Sequence, residues 1–296
     1  MNEYAHLRPQ ACAIAARSPE ERIRSLQVPI WIGYTRAQAI LTKLDYLLEH
    51  PPIHRMPNLL IVGRTNNGKT MLIDRFLELH SGREHGSLAS HGILSIQTPP
   101  KPDERRFYDE IASTLAAAKP VPSRRGNGRS DVIGVLQAAG TRMLILDEIH
   151  HILVGNIGLQ GVFLNAIKYL SNQLRIPIVA VGTKDALRAI QTDSQMVNRF
   201  EPAAIPKWTL DEEFRRLLAS FESVLPLRQP SRLPMGSMPL RLLTMSEGQI
   251  GELRSILVLA ATAAIRSGKE LIDQTILEGI PWVLPSQRRL EAEQLA

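Results

Sequence analysis

An eight-residue segment, GRTNNGKT at positions 63–70, combines two glycines with a lysine and a threonine. Its spacing, G-x-x-x-x-G-K-[ST], is that of a loop that binds the phosphates of a nucleotide. The glycines let backbone amides turn toward a triphosphate, and a helix that begins here adds positive partial charge. Lys69 is placed to reach the β- and γ-phosphates, and Thr70 to ligate Mg²⁺. We therefore predict ATP and Mg²⁺ as cofactors, with contacts from Gly63, Arg64, Thr65, Asn66, Asn67, Gly68, Lys69, Thr70 and Met71.

A second segment, MLILDEIHH, ends an apolar run with two carboxylates and two histidines. In a nucleotide hydrolase, Asp147 at this position holds the Mg²⁺ shell and Glu148 orients or deprotonates the attacking water. The alternative is that both carboxylates only cap the next helix. Adjacent side chains on a strand or helix point in different directions. We therefore interpret His150 and His151 as structural or coupling residues and not as ligands of one metal ion.

Three further residues are candidates for contact with nucleotide phosphates. Thr183 ends the run VAVGT, where its hydroxyl binds the γ-phosphate or the attacking water, or else caps the following helix. Arg199, in MVNRFEP, is either a solvated charge or an arginine that reaches the γ-phosphate of a neighbouring subunit. Arg254, in GELRS, is either a surface arginine or a residue that joins the nucleotide to a second domain. The catalytic set that we predict is Glu148, Lys69, Arg199 and Thr183.

The elements that must position these residues can be read from the apolar pattern. The glycine-rich segment lies between a short apolar run and a segment with helical spacing, as a phosphate loop requires. Further apolar runs, GILSIQ, RMLILD and IPIVAVG, alternate with helix-like segments, which predicts an α/β fold with a parallel sheet wrapped by helices. Beyond about residue 208 helical spacing predominates. The expected domains are an amino-terminal arm at 1–30, an α/β core at 31–207, a small helical lid domain at 208–284 and a tail at 285–296.

The composition narrows the class of protein. The 296 residues include 35 Lys and Arg against 29 Asp and Glu, for a net charge of +6, and the pI is about 9.7, which makes nucleic acid a plausible partner. Cys12 is the only cysteine, which excludes an intramolecular disulfide or a cysteine-based zinc site. The apolar runs are far shorter than the roughly 20 residues of a membrane span. The amino terminus lacks the apolar core of a secretory signal, so we expect a soluble cytoplasmic protein with no membrane partner.

Two segments carry clustered basic residues that suit the DNA backbone. Contact with DNA phosphates needs Lys and Arg side chains but no reading of base sequence. The alternative for both segments is an ordinary solvated surface. The candidates are Lys101, Arg105 and Arg106 in PPKPDERRF, and Arg124, Arg125 and Arg129 in SRRGNGR.

The order of a phosphate loop, LILDE, a polar strand end, NRF and a helical segment with GELR resembles the AAA+ ATPases. Residues 31–76 and the segment LILDEIHHIL resemble more closely the TniB family of bacterial transposition ATPases, which are related to the target-selecting regulators TnsC and MuB. The likeness covers roughly 25–284 and is most specific in WIGY, RMPNLLIVG and NNGKT. It implies an AAA+ core followed by a helical lid.

The resemblance also assigns roles to individual residues. The phosphate-loop residues of the family match Gly63, Gly68, Lys69 and Thr70, and its acidic pair matches Asp147 and Glu148. Arg199 and Arg254 match the AAA+ finger and lid positions. Trp31 and Tyr34 lie where AAA+ proteins hold the adenine, although the same residues would equally serve as a core anchor for the first helix.

The family likeness implies a function as well. Such a protein would assemble with itself on double-stranded DNA as a ring or helical filament without strong sequence preference. It would present that DNA as target and stimulate a partner transposase, together with a target-selection protein, with ATP hydrolysis as a switch. The alternatives are a helicase loader or a secretion-apparatus ATPase on the same core, a DNA helicase, and a scaffold that binds nucleotide without hydrolysis. The chain has room for one ATPase core, which argues against a helicase, and Lys69, Asp147 and Glu148 are intact, which argues against the scaffold.

Overall fold

A computed structural model describes residues 4–81, 92–118 and 129–295. The chain divides into two compact units. A helical unit comprises Met1–Thr35, Asn66–Gly68 and Lys207–Ala296, and an α/β unit comprises Arg36–Thr65 and Lys69–Pro206. The helices are α1 (Pro9–Ala15), α2 (Pro19–Leu26), α3 (Thr35–Glu49), α4 (Lys69–His80), α5 (Glu104–Ala118), α6 (Arg129–Ala138), α7 (Ile157–Leu174), α8 (Lys184–Gln191), α9 (Ser194–Val197), α10 (Glu212–Glu222), α11 (Met238–Ser246), α12 (Ile250–Arg266), α13 (Gln274–Gly279) and α14 (Pro285–Leu295).

The α/β unit is built on one sheet with the strand order β2-β3-β4-β1-β5, in which all neighbouring strands are parallel. The predicted parallel sheet is therefore confirmed. Because the strands are parallel, their carboxyl ends meet at one edge of the sheet, where α/β proteins bind ligands. The strands are β1 (Asn58–Gly63), β2 (Ile93–Gln97), β3 (Met143–Asp147), β4 (Ile178–Gly182) and β5 (Phe200–Ile205).

The central strands of the sheet are apolar because helices cover them. Leu144, Ile145 and Leu146 of β3 have no exposed surface, and β4 is buried along its whole length. Aromatic side chains from the surrounding helices complete this core, among them Phe107 and Phe163, whose ring centroids are 4.9 Å apart. Runs without polar residues are the expected pattern for strands buried on both faces.

Strand β5 has no counterpart in the sequence prediction. It contains Pro202, which lacks a backbone N–H and is tolerated mainly at the edge of a sheet. β5 is an outermost strand of the sheet and pairs on one side only, with β1, from Asn58 opposite Phe200 to Gly63 opposite Ile205. Phe200, Ala203 and Ile205 are buried and the other three residues are exposed, because only one side of this strand faces the core. The charged Glu201 and the proline next to it interrupt the apolar run and conceal the strand in the sequence.

The helical unit has a core of its own, formed by residues of α2 and α10–α13. The expected amino-terminal arm forms α1 and α2, and a reciprocal capping box between Ser18 and Glu21 begins α2. Arg22 of α2 is fully buried, donates to Pro226 O at 2.7 and 3.0 Å and forms an ion pair with Glu270. The expected tail forms α14, where the amide of Ser286 donates to Glu247 at 2.9 Å.

Within the described ranges, no single helix has the length and hydropathy that crossing a membrane requires. Helices α11 and α12 reach that threshold only when counted together, and they are bent by 116°.

Candidate functional site

The predicted phosphate loop connects β1 to α4. Strand β1 ends at Gly63, and helix α4 begins at Lys69. A Cβ on Gly63 would lie 3.3 Å from the backbone oxygen of Ile205, so the close approach of β5 favours glycine here. Gly68 has φ +80°, a conformation that costs glycine little. The strand, loop and helix thus have the local geometry of a phosphate loop.

Lys69 is unusual because its side chain is buried although it carries a charge. It is 6% exposed, and its Nζ donates to the backbone oxygen of Arg64 at 2.9 Å. Burial lowers the pKa of Lys69 below its ordinary value, while Glu148 and Asp147 partly oppose that shift. An anion that enters the loop would add to the compensation that Glu148 and Asp147 give the buried ammonium only in part.

Asp147, the last residue of β3, faces the start of α4. The hydroxyl of Thr70 donates to its Oδ2 at 3.3 Å, and the amide of Glu148 donates to its Oδ1 at 2.8 Å. Burial raises the pKa of Asp147, and the neighbouring charge of Glu148 adds to the shift. A hydroxyl and a carboxylate are oxygen ligands of the kind that Mg²⁺ prefers. These two side chains therefore fit the Mg²⁺ predicted from the sequence.

Glu148 has an irregular backbone that directs its side chain. Its φ of 56° lies in the left-handed region, and it caps a 3₁₀ helix, Ile149–Leu153. Its Oε2 lies 3.2 Å from Nε2 of His150. The expectation that His150 and His151 point apart is wrong, because the two rings lie side by side with centroids 4.9 Å apart. The argument assumed a regular helix or strand, and the chain forms neither at this point.

The end of β4 lies beside the same region. Thr183 is the N-cap of α8, yet its side chain makes no capping hydrogen bond. Its Oγ1 is buried without a hydrogen-bond partner in the described part of the chain. A Cβ on the preceding Gly182 would lie 3.2 Å from Ile149 and 3.4 Å from Nδ1 of His150. The hydroxyl of Thr183 is therefore unpaired in the described structure, at the end of the strand that pairs with β3.

Comparison with models of known protein families shows to which family this chain belongs. The model of the bacterial TniB protein family matches residues 22–210, which is more than half of the sequence. The chain belongs to the TniB family. None of the curated proteins matches it.

Solved structures that resemble the TniB-family chain share its fold at low sequence identity. The Orc1 protein of Aeropyrum pernix in complex with DNA has a TM-score of 0.51 and 16% identity, over 91% of this chain and 69% of that one. The ORC2 protein of the same organism, in ADPNP–ADP complexes, has a TM-score of 0.57 and 16% identity, over 91% and 74%. Domain III of the Thermotoga maritima replication initiation protein DnaA has a TM-score of 0.53 and 15% identity, over 92% and 95%. The predicted AAA+ fold is confirmed.

Arg199 of this TniB-family chain lies at the amino ends of the strands, whereas the phosphate loop lies at their carboxyl ends. Its backbone oxygen accepts from the amide of Asn58, the first residue of β1, at 3.0 Å. Gly63 lies five residues along β1, or about 17 Å away at about 3.3 Å per residue. The Arg199 side chain donates to Asn172 at 2.8 Å and lines a groove of about 760 Å³. Arg199 is therefore not part of the site formed by Lys69 in its own subunit.

The remaining predicted nucleotide contacts belong to the helical unit. Tyr34 packs edge-on against Trp208, with ring centroids 5.0 Å apart, and Trp31 is partly buried. Arg254 of α12 donates through Nη2 to the backbone oxygens of Leu26, Gln27 and Val28 at 3.2–3.3 Å. Arg254 thus caps the carboxyl end of α2, which the sequence did not indicate.

Asn66 makes a second contact that the sequence did not predict. It has φ 60° and groups with the helical unit. Its Nδ2 donates to Glu252 at 2.8 Å, and its backbone oxygen accepts from the amide of Gly251 at 3.1 Å. A Cβ on Gly251 would lie 1.9 Å from Oδ1 of Asn66, so only glycine fits. The glycine of the GELR segment is the signal that could have indicated this contact.

The candidate DNA-binding residues fall into two groups. Lys101, Arg105 and Arg106 are exposed and lie in the turn after β2 and the first turn of α5. Arg106 also lies 3.6 Å from Asp103. Arg124 and Arg125 lie outside the described residues, and Arg129 begins α6, with its side chain not described. The first group therefore lies near the carboxyl edge of the sheet.

Proposed function

We propose that this chain is a Mg²⁺-dependent ATPase that binds double-stranded DNA and regulates transposition. The observation that supports the proposal best is the set of Lys69, Thr70, Asp147 and Glu148 at the carboxyl edge of the sheet. The charged forms of Lys69 and Asp147 are both disfavoured by burial there. Ionisable groups whose pKa values are shifted by burial and by a nearby charge, beside a binding loop, are typical of functional sites. Membership of the TniB family and the AAA+ fold support the same reaction.

In this proposal each side chain has one task. Lys69 binds the β- and γ-phosphates, and the amides of residues 64–68 surround them. Thr70 and Asp147 hold Mg²⁺, which supplies neutralisation of charge on the phosphates when it is bound. Glu148 orients the attacking water or accepts its proton. Thr183, whose hydroxyl is buried and unpaired in the described structure, donates to the γ-phosphate or to that water.

Arg199 completes the site of a neighbouring subunit. It lies beside Asn58, about 17 Å along β1 from Gly63, so we propose that it acts on the phosphate loop of another copy of the chain and not on its own. An arginine supplied to a γ-phosphate in this way is worth about 10³ to 10⁵ in rate. Hydrolysis is then coupled to assembly.

The nucleobase contacts are proposed for the segment from Trp31 to Tyr34. Arg254 holds the preceding backbone at Leu26, Gln27 and Val28. Its proposed part in nucleotide binding is thus to position that segment, and direct contact with the phosphates, which the AAA+ resemblance implies, is the alternative.

DNA binds to the exposed basic group Lys101, Arg105 and Arg106. The Orc1 protein that shares the fold was solved in complex with DNA, and TniB-family proteins resemble the transposition regulators TnsC and MuB. We propose that the assembly on DNA marks the target, recruits or stimulates a transposase with the help of a target-selection protein, and disassembles after hydrolysis.

The first test is analytical sedimentation of the full chain with duplex DNA, with negative-stain microscopy of the same samples. A slowly hydrolysed ATP analogue and ADP would be compared. Large DNA-bound assemblies in the triphosphate state alone would support the proposal. Assemblies that form without binding DNA would favour a helicase loader or a secretion-apparatus ATPase and would overturn the proposed role in transposition.

A charge-reversal pair tests the DNA surface. Arg105→Glu with Arg106→Glu should weaken binding to all duplex sequences alike and reduce the slope of affinity against salt by about 2. The control is Arg188→Glu with Arg216→Glu, because each arginine there is 76% exposed and pairs with a nearby carboxylate, as Arg106 does. Equal losses in both pairs would mean a general charge effect and would exclude a specific DNA surface.

A further inference from the structure

We infer that Glu148, His150 and His151 form a binding site for a divalent transition-metal ion, with Zn²⁺ as the best fit. One ligand atom from each residue can be chosen so that the three lie within 4.8 Å of one another. All three side chains are partly buried in the α/β unit, so water still has access to them. This site is distinct from the Mg²⁺ position at Thr70 and Asp147.

The distance between Glu148 and His150 already suits a metal. Oε2 of Glu148 and Nε2 of His150 are 3.2 Å apart. Two ligands at about 2.0 to 2.1 Å from a tetrahedral Zn²⁺ lie about 3.3 Å from each other. Nδ1 of His150 is buried against Gly182 and has no partner in the described structure, so Nε2 is the nitrogen that faces the cluster. Without a metal this is a hydrogen-bond distance, and the same separation fits two corners of a coordination shell once Nε2 has lost its proton.

His151 supplies the third ligand through its Nε2. Its Nδ1 lies 3.2 Å from the backbone oxygen of Thr98. A carbonyl oxygen only accepts hydrogen bonds, so Nδ1 carries the proton and Nε2 carries the free lone pair. Metal-binding histidines characteristically donate their second ring nitrogen to such an oxygen, which fixes the tautomer and the ring. The ligand atoms lie within 4.8 Å of one another, so reaching the spacing of about 3.3 Å requires them to approach by about 1.5 Å at most.

The local backbone explains how neighbouring residues converge. Glu148 is left-handed, with φ 56° and ψ 36°, and the 3₁₀ helix that follows is tighter than an α-helix. Ile149 and Ile152 of that helix are fully buried, which anchors it beneath the sheet edge. The buried isoleucines leave the histidines on the outer side, with their rings 4.9 Å apart.

The donor set favours a transition metal over Mg²⁺. Two imidazoles and one carboxylate suit Zn²⁺, whereas Mg²⁺ prefers oxygen ligands and retains water. Three protein ligands leave a fourth position open to water. The predicted affinity order among divalent ions is therefore Zn²⁺ above Co²⁺, with Mg²⁺ unable to compete.

One consequence of the site rests on the proposed function. A metal-bound carboxylate cannot act on the attacking water, so Zn²⁺ should inhibit ATP hydrolysis by occupying Glu148. The binding itself does not depend on the proposed ATPase activity, because the ligands belong to this chain alone.

The test is a titration of the full chain, without nucleotide or Mg²⁺, with Co²⁺ monitored by its visible absorption and then displaced by Zn²⁺. We expect one equivalent with an intense low-symmetry spectrum, and at least tenfold weaker binding in His150→Ala and in His151→Ala. His80→Ala is the control, because His80 is also partly buried beside a carboxylate, with Nε2 3.2 Å from Asp45. Binding that all three variants retain, or that His80→Ala loses equally, would overturn the inference.

Two further measurements separate the outcomes. Glu148→Gln keeps the shape of the side chain, and His151→Gln keeps a polar side chain of similar length. Both should also weaken Co²⁺ binding, while circular dichroism verifies that each variant is folded. Zn²⁺ should then inhibit wild-type hydrolysis but leave the residual hydrolysis of His151→Gln at least tenfold less sensitive. If the wild-type chain binds Co²⁺ but hydrolyses no ATP, the inference of a metal site stands and the proposed ATPase activity is refuted.

Discussion

Two clusters of buried charge, one in each unit of the chain, differ in how fully their charges are compensated. In the helical unit, burial alone would raise the pKa of Glu270, but its bonds with Arg22 and Arg228 lower it below 4.5. In the α/β unit, burial lowers the pKa of Lys69 and raises that of Asp147, because nearby groups compensate only in part. Both shifts oppose the charged forms. Charge that is satisfied within the fold indicates structure, and charge that is left short of partners indicates a site for a ligand.

The largest expected effect concerns Glu148. Glu148→Gln removes the base but keeps the shape, so kcat for ATP should fall by about 10² to 10⁴ while nucleotide binding is retained. Phosphate release and binding of a fluorescent nucleotide would be measured together. The control is Glu78→Gln, since Glu78 is an exposed carboxylate on α4. Rapid hydrolysis by Glu148→Gln would remove Glu148 from the catalytic site.

Loss of the buried ion pair in the helical unit should lower the stability of the fold. Arg22→Met leaves the carboxylate of Glu270 without its buried partner and should cost about 3 to 5 kcal/mol in the free energy of unfolding. Arg216→Met, at an arginine that is 76% exposed, should cost little. Urea unfolding measures both. Similar values for the two variants would contradict the structural role of Arg22.

The same pair predicts a pH dependence with a definite sign. The pKa of Glu270 is depressed in the folded state, so its contribution to stability is present above its ordinary value of 4.5. That contribution is lost as the pH falls through the lower folded pKa. Wild type should therefore lose stability in acid below about pH 4.5 more steeply than Glu270→Gln does.

Replacing Lys69 tests the difference between the two buried clusters, because stability and nucleotide affinity should respond differently. Lys69→Met removes a buried charge that the fold does not fully satisfy, so the free energy of unfolding should be unchanged or higher. Nucleotide affinity should fall by about ten- to a hundredfold, the loss of one charge-assisted hydrogen bond of about 1.5 to 3 kcal/mol. Calorimetry and equilibrium binding would test both statements. A destabilised Lys69→Met would mean that Lys69 has the same structural role as Arg22.

The smallest effect is expected at Gly251. Gly251→Ala would force Oδ1 of Asn66 away from a Cβ only 1.9 Å distant, which should weaken nucleotide binding by about tenfold or less. Gly279→Ala is a matched control because nothing lies within 4 Å of its added Cβ. Equal nucleotide affinity in the two variants would show that the Asn66 contact has no influence on the loop.

The parts of the structure that the sequence predicted are those set by local pattern. Fully apolar runs identified β1, β3 and β4, and glycine spacing identified the loop that ends at Lys69. The parts that it did not predict depend on tertiary context. Pro202 concealed β5, and the left-handed backbone of Glu148 brought the two histidines together. The hydrogen bond between Asn66 and Glu252 joins residues 186 positions apart, which no local pattern encodes.

The proline in β5 has a consequence for how copies of this chain can join. An edge strand normally presents a row of backbone donors and acceptors that another chain can extend. Pro202 interrupts that row on β5, because it has no amide hydrogen to donate. A continuous intermolecular sheet at this edge is therefore discouraged. In the proposed assembly, a contact between copies at this strand would therefore rest on side chains, which salt or a change of ligand can separate more readily than a continuous sheet.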